Sequence, residues 1–385
     1  MYDVITIGTA TRDVFLRSPL FRMVRDPKHL KRLGFRTGEA QCFALGAKIE
    51  VQKPILTVGG GAANAAVTFS RQGFKAASLF KVGRDDNGRA ILAGLESERL
   101  IPLPLFDSQI GTAYSVILLM SSGERTILNY RGAADDIKQK ELPFRKLMAK
   151  WAYISPGRIP LKIMTTILRQ LKRNKTFIAM NPSKYYLRLG IRRLKPILDA
   201  LQVIIVNREE ASYLTGFGYE EEQKIFKKFD ELVKGIAVLT DGPKGVLVSD
   251  GRKIYSAGVY KDKKIVDRTG AGDAFGSGFL AGLMRKISNF PACADLSAVP
   301  TAQAGASAGR QFPRLRRGLP DGQVGFGGQA ISNFKEDDIK YAIRLGSANA
   351  TSVVEQIGAQ AGILRKPDFH SRRWEKLPIR IMSLR

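Results

Sequence analysis

The sequence predicts an α/β fold in which a mainly parallel sheet carries helices on both faces, and three observations support this. Short apolar runs with strand character alternate with amphipathic helical periods along most of the 385 residues. Glycine-rich segments fall where a strand-like run gives way to a helical one, the strand-end position at which such folds bind ligands. Apolar residues make up 44% and charged residues 25%, an ordinary balance for a globular chain long enough for one large domain plus a smaller element.

In chain order, strands are expected over 2–8, 77–82, 114–120, 151–155, 177–181, 203–207, 236–240 and 246–248. Between them, 62–72, 87–97, 161–173 and 220–233 have the apolar spacing of helices. Parts of 15–56, which is basic and poor in apolar runs, and of 112–130, which alternates like paired strands, are expected to form a small β lid beside the main domain. Residues 339–357 read as a helix with Ile339, Ile343, Gly346, Ala350, Val353 and Ile357 on one face. Residues 291–334 contain neither Lys nor Glu and are bracketed by a repeat, Ile287-Ser288-Asn289-Phe290 and Ile331-Ser332-Asn333-Phe334. They are expected to be a disordered insertion within a domain spanning 1–364, since the segment has too little apolar surface to order itself. Residues 365–385 are expected to be a basic C-terminal tail.

Composition excludes several function classes. No stretch reaches the roughly 18 continuous apolar residues of a membrane span, so no membrane partner is expected. The first residues read as a strand and not as a signal peptide. Two distant cysteines, Cys42 and Cys293, form no disulfide framework or zinc motif and suggest a cytoplasmic setting. The net charge of +27 is high, but its Lys and Arg residues are spread along the whole chain and no nucleic-acid-binding signature accompanies them. A basic proteome accounts for the charge better than a nucleic-acid partner does.

The strongest motif is Asp267-Arg268-Thr269-Gly270-Ala271-Gly272-Asp273, which runs into a helix whose Phe275, Phe279, Leu283 and Ile287 recur every four residues. Unpaired amides at such a helix start attract negative charge, and small residues let a phosphate come close. Asp273, in the same first turn, can reach a substrate hydroxyl beside that phosphate. An anion hole formed by Gly270, Ala271 and Gly272 with Asp273 as adjacent base is what phosphoryl transfer to an alcohol requires. Taken alone, the segment is also consistent with a glycine turn capped by an aspartate.

This motif resembles the C-terminal signature of the ribokinase/PfkB carbohydrate kinase family, and the similarity extends over nearly the whole chain outside 291–334 and the tail. The resemblance implies a ribokinase-like three-layer α/β/α sandwich with a small β lid. It also implies an ATP-dependent kinase that uses Mg2+, with Asp273 as base, acting on a sugar or sugar-like acceptor. Gly59-Gly60-Gly61-Ala62-Ala63-Asn64 is similar to the family's acceptor-binding signature, which places Gly59, Gly60 and Asn64 at the acceptor. Asp13 matches the aspartate that bridges two substrate hydroxyls, a task that suits two acceptor oxygens. The run 81–88 matches a turn element near the acceptor site.

On the nucleotide side, Asn207 and Glu210 match the family's Asn-x-x-Glu, linked indirectly to Mg2+ and phosphate positioning, although ordinary helix capping explains the same residues. Thr240, Gly242 and Gly245 match a nucleotide-side loop, and Asn349 lies on a helix that borders the adenine in relatives. A monovalent-cation site occurs in some relatives, and Asp267 and Thr269 are compatible with K+. Relatives often dimerise through the lid, which implies a homodimer here. Three alternatives stay open: an adenosine-type nucleoside kinase with Phe15, Phe21 or Phe43 lining its pocket, a non-catalytic basic protein that binds nucleic acid on the same fold, and an enzyme inactivated by the insertion.

Overall fold

The computed structural model describes residues 1–35, 38–286 and 334–383. Its strands, in chain order, are β1 (Tyr2–Gly8), β2 (Thr11–Arg17), β3 (Arg22–Arg25), β4 (Glu39–Cys42), β5 (Ile55–Gly59), β6 (Ala76–Gly83), β7 (Ile101–Asp107), β8 (Tyr114–Leu119), β9 (Arg125–Tyr130), β10 (Ala149–Ser155), β11 (Phe177–Met180), β12 (Val203–Asn207), β13 (Ile236–Thr240), β14 (Val246–Ser249), β15 (Lys253–Ala257) and β16 (Ile379–Ser383).

Ten of them form one sheet in the order β16-β15-β14-β13-β12-β11-β10-β1-β6-β7. Pairing is parallel from β13 to β7 and antiparallel from β13 to β16. The central strands are apolar on both faces, as a sheet covered twice must be. Val4 and Phe80 belong to one core layer, with Phe279 and Ile343 from the covering helices. Ile5, Leu79 and Ile154 belong to the opposite layer, against the Met164, Ile167, Leu168 and Leu171 face of the helix Leu161–Arg173. Alternation along each strand thus builds the middle layer of a three-layer α/β/α sandwich.

β7 was not anticipated, because Pro102 and Pro104 argue against a strand. It forms the sheet edge, where a missing backbone donor is tolerated.

Residues 365–385 were expected to be a basic tail. Up to Ser383 they are instead part of the domain. Phe369, Trp374 and Leu377 are buried, the Tyr260 hydroxyl donates to the Trp374 carbonyl at 2.7 Å, and β16 completes the sheet beside β15. The apolar residues interspersed among the Lys and Arg residues explain the correction.

A second sheet, β5-β2-β8-β9, stands beside the strand ends and forms the lid, with β3 and β4 as a separate ribbon. Only Thr9 and Ala10 separate β1 from β2, so the lid projects directly over the carboxyl end of the large sheet. Phe15, Ile117 and Leu119 form its small core, with Ile357 packed beneath them. Ile357 was expected to extend the last long helix, but that helix is Glu336–Val354 and Ile357 seats the lid instead. The insertion expected over 291–334 lies outside the described residues except for Phe334, which packs on the main core.

Candidate active site

The helix Ala271–Lys286 starts at the carboxyl edge of the sheet, and Gly270 sets up its entry. At Gly270 φ is +78°, and a Cβ there would lie 2.3 Å from that of Ala359, so a side chain is excluded on two grounds. The Ala274 amide closes onto the Gly270 carbonyl at 2.8 Å. The Gly272 and Asp273 amides have no acceptor among the described residues, and the space beside Gly272 is open. These are the donors that a helix start leaves for an anion.

The Asp273 carboxylate accepts a 2.9 Å hydrogen bond from Asn64 Nδ2. It lies half-buried in the wall of a cleft of about 190 Å³ that is also lined by Thr9, Thr11, Asp13, Gly60 and Ser115. Burial raises its pKa above the usual aspartate value, while the Asn64 hydrogen bond opposes the shift. Asn64 is oriented from behind by Gln360, whose Nε2 donates to Asn64 Oδ1 at 3.1 Å. Gln360 gave no signal in the sequence, because it belongs to no motif and follows a helix that was expected to run longer.

Asp13, on β2, is buried and accepts from the Thr11 hydroxyl at 2.8 Å and from Ser115. Burial is the main cause of its raised pKa, with the negative charges of Asp273 and Asp267 adding to it. Gly59 is needed here, since a Cβ would overlap Asp13 Oδ2 at 1.9 Å. The helix Gly61–Arg71 differs from the Asp273 helix in that its first amides are taken. Thr9 Oγ1 accepts from Gly61, and the Thr9 carbonyl accepts from Ala62 and Ala63. Gly59 and Gly60 therefore shape the cleft without offering a second set of open amides. Over 81–88, Asp85 accepts from Gly88 at 2.8 Å and from the Thr112 amide at 2.7 Å, which ties this turn to the start of the lid.

Asn207 and Glu210 form a reciprocal capping box. Asn207 Oδ1 accepts from the Glu210 amide at 2.8 Å, and Glu210 Oε2 accepts from the Asn207 amide at 2.9 Å. One Glu210 oxygen stays outside this exchange. Burial lifts the Glu210 pKa to about 7, helped by the charge of Asp273. The fully buried Tyr153 hydroxyl has its pKa raised by burial and by the negative charges of Asp273 and Glu210.

Thr240 ends β13, half-buried, and Gly242 and Gly245 both have positive φ in the turn that follows. Arg208, to which the sequence analysis assigned no role, joins the segments that follow β12 and β13. Its guanidinium pairs with Asp241 and Glu222, each at 2.9 Å, and packs 4.4 Å from the centre of the Tyr219 ring.

One expected role is corrected and another finds no support. Asn349 is 1% exposed, donates to the Ala274 carbonyl at 2.8 Å and accepts from the Leu364 amide at 2.9 Å. It fastens two helices together and turns no group toward a nucleotide. Asp267, also fully buried, accepts from the amide and hydroxyl of Thr269 at 2.9 and 2.7 Å and from the Gly358 amide at 3.0 Å, with Arg125 Nε 4.0 Å away. These three donors hold the carboxylate in place, and the arrangement gives no support for a K+ site at Asp267 and Thr269. The aromatic residues considered for a nucleoside pocket are used elsewhere: Phe15 lies in the lid core, and Phe21 packs edge-on against Phe43.

An α/β sandwich with a lid over its strand ends, holding a carboxylate beside unpaired helix-start amides, defines the kinase class to which the comparisons also point. The pattern of the pfkB family carbohydrate kinases matches residues 37–309, and the chain belongs to that family. A cytidine kinase from Thermococcus kodakarensis is 30% identical over 234 residues, covering 59% of this chain and 80% of the relative. An ATP-dependent 6-phosphofructokinase from Thermoanaerobacterium thermosaccharolyticum is 27% identical over 241 residues, covering 59% and 72%. Among solved structures, ribokinase from Giardia lamblia shares the fold with a TM-score of 0.68 at 19% identity, covering 96% of this chain and 98% of that one.

Proposed function

We propose that this chain transfers the γ-phosphoryl group of ATP to a hydroxyl of a sugar or sugar-bearing small molecule, with Asp273 as general base. The observation that carries this reading is the meeting, in one cleft, of the Asp273 carboxylate, its Asn64 partner and the open amides of Gly272 and Asp273.

The acceptor lies between Asp13, Asn64 and Asp273. Asp273 orients one hydroxyl and takes its proton as the oxygen–phosphorus bond forms. The bond from Pγ to the bridging oxygen breaks and leaves its electron pair on ADP. A raised pKa makes the Asp273 carboxylate a stronger base than an ordinary aspartate. The helix-start amides meet the negative charge on the transferring group. The Arg208–Asp241 pair holds the Asn207 and Thr240 loops in fixed relation for the nucleotide. The free Glu210 oxygen fits a water-mediated contact to Mg2+, which would supply charge neutralisation on the phosphates.

A sugar ring suits the cleft better than a nucleoside base, because no aromatic side chain is among its lining residues. The lid also supports a homodimer. On β9, Ile127, Leu128 and Tyr130 are all exposed, and Ile127 and Asn129 also line the cleft. A monomer mass by sedimentation at micromolar concentration would rule the dimer out.

The kinase reading is tested by following ADP release with MgATP against a panel of pentoses, hexoses and nucleosides. Turnover with at least one acceptor, abolished by Asp273→Asn, is expected. An inert wild-type protein across the panel and its phosphorylated counterparts would refute it.

A further inference from the structure

The two helical layers of the sandwich differ in charge. Residues 142–198 contain fourteen Lys or Arg and no Asp or Glu, so just over half of the net +27 sits on this one stretch. The stretch builds β10, β11 and the helices Leu161–Arg173, Lys184–Leu187 and Ile191–Leu198, whose apolar faces cover the same side of the sheet. Those three helices carry eight basic residues and no acidic one. The four helices of the opposite layer, Gly61–Arg71, Asp86–Ser97, Ala271–Lys286 and Glu336–Val354, carry six of each. A composition that was merely basic would load both layers alike, so the structure corrects the reading of an evenly spread charge.

All fourteen residues are exposed, and only Lys150, Lys184 and Lys195 have a carboxylate within ion-pair distance among the described residues. The helix Leu161–Arg173 shows how the charge is directed. Its Met164, Ile167, Leu168 and Leu171 are buried on one side, and Lys162, Arg169 and Arg173, at spacings of seven and four, fall on the other. They form a row along about 17 Å of helix. Over that length a nucleic-acid duplex presents about ten phosphates. Arg192 and Arg193 extend the charge on the helix Ile191–Leu198, between β11 and β12 in the chain.

The chemistry of the face selects among polyanions. Within 142–198 the exposed large apolar residues are Met148 and Tyr185, too few for the apolar row that a helix inserts into a bilayer surface. A single strand is held largely by stacking of its bases on aromatic rings, and Tyr185 alone is no such platform. A regular phosphate backbone needs only unpaired cations in a row. We propose that this face binds a nucleic-acid duplex through its phosphates, without reading sequence, as an activity separate from phosphotransfer.

The test measures fluorescence anisotropy of a labelled 24-base-pair DNA duplex of mixed sequence against the full chain between 50 and 200 mM NaCl. Neutralising about five phosphates should give a slope of log K on log salt of about −4 to −5, with a Kd of about 10⁻⁶–10⁻⁴ M at physiological salt. The triple substitution Lys162→Gln, Arg169→Gln and Arg173→Gln should flatten that slope by about 3 and weaken binding at 100 mM NaCl at least about tenfold. Arg89→Gln, Lys335→Gln and Lys340→Gln remove the same charge from the opposite layer and should change affinity less than about threefold. Should the first triple variant not fold, Arg192→Gln with Arg193→Gln puts the same question, with a slope change of about 2. Equal losses in the two triple variants would show attraction by overall charge alone and overturn the proposal. So would the absence of binding at 50 mM NaCl, or tighter binding to phosphatidylserine vesicles or to a single-stranded thymidine 24-mer. None of these outcomes depends on Asp273, so the kinase reading stands or falls separately.

Discussion

The two halves of the candidate site are built on different principles. On the acceptor side, residues far apart in the chain converge. Asn64 bonds Asp273 across 209 positions, and Gln360 bonds Asn64 across 296. Asp13 and Asp273 are drawn out of water, and both have raised pKa values. On the proposed nucleotide side most contacts are local, since Asn207 and Glu210 cap one helix turn and Gly242 and Gly245 shape one turn, with Arg208 reaching Asp241 across 33 positions. A convergent cluster concentrates its effect in single atoms, whereas a local loop distributes it over backbone groups. Substitutions should therefore matter most where long-range contacts meet.

Asp273→Asn is the sharpest way to break that comparison. The variant keeps the shape and an Asn64 contact but removes the base, so kcat should fall by about 10²–10⁴-fold with little change in ATP affinity. Stability should not fall with it. The folded-state pKa of Asp273 is raised, so ionisation above the ordinary aspartate value opposes folding, and a neutral amide removes that opposition. Near-normal turnover, or a melting temperature lowered along with activity, would mean that the residue is structural.

Gly270→Ala comes next. The new methyl group would overlap Ala359 in a backbone conformation unfavourable to alanine, at a cost of about 1–3 kcal/mol. Thermal denaturation should register this, and kcat should fall because the adjacent amides move. An unchanged melting temperature would show that the loop relaxes freely and that the amide cluster is not fixed by close packing.

The same contrast decides how much was legible in the sequence. The Asp273 helix was readable because Phe275, Phe279 and Leu283 repeat at helical spacing behind a glycine cluster, and all three are buried. The lid strands alternate visibly, and Asn207 and Glu210 have the spacing of a cap. Contacts through space were not readable. Gln360 and Arg208 join segments that no periodicity connects. Asn349 was misjudged because a polar residue on a helix says nothing about which neighbour it meets, and here it met the Ala274 carbonyl. β16 was missed because the Lys and Arg residues before it made the whole segment read as a basic tail.

The smallest expected effect sharpens the nucleotide side. Burial, together with the charge of Asp273, raises Glu210 from the ordinary glutamate range to about 7, so below that pH most of the free protein carries a neutral carboxyl. A water-mediated contact to Mg2+ needs the carboxylate. MgATP should therefore bind more tightly as pH rises through about 7, and binding just below it should release a proton. Calorimetry in two buffers of different ionisation enthalpy measures that proton directly. In Glu210→Gln the release and the pH dependence should both vanish, while affinity at pH 8 drops only about 3–10-fold, as the loss of one bridged contact implies. If the variant still releases the proton, the titrating group lies elsewhere. If its affinity falls as steeply as Asp273→Asn lowers kcat, the nucleotide side is no more forgiving than the acceptor side, and the contrast drawn between the two halves fails.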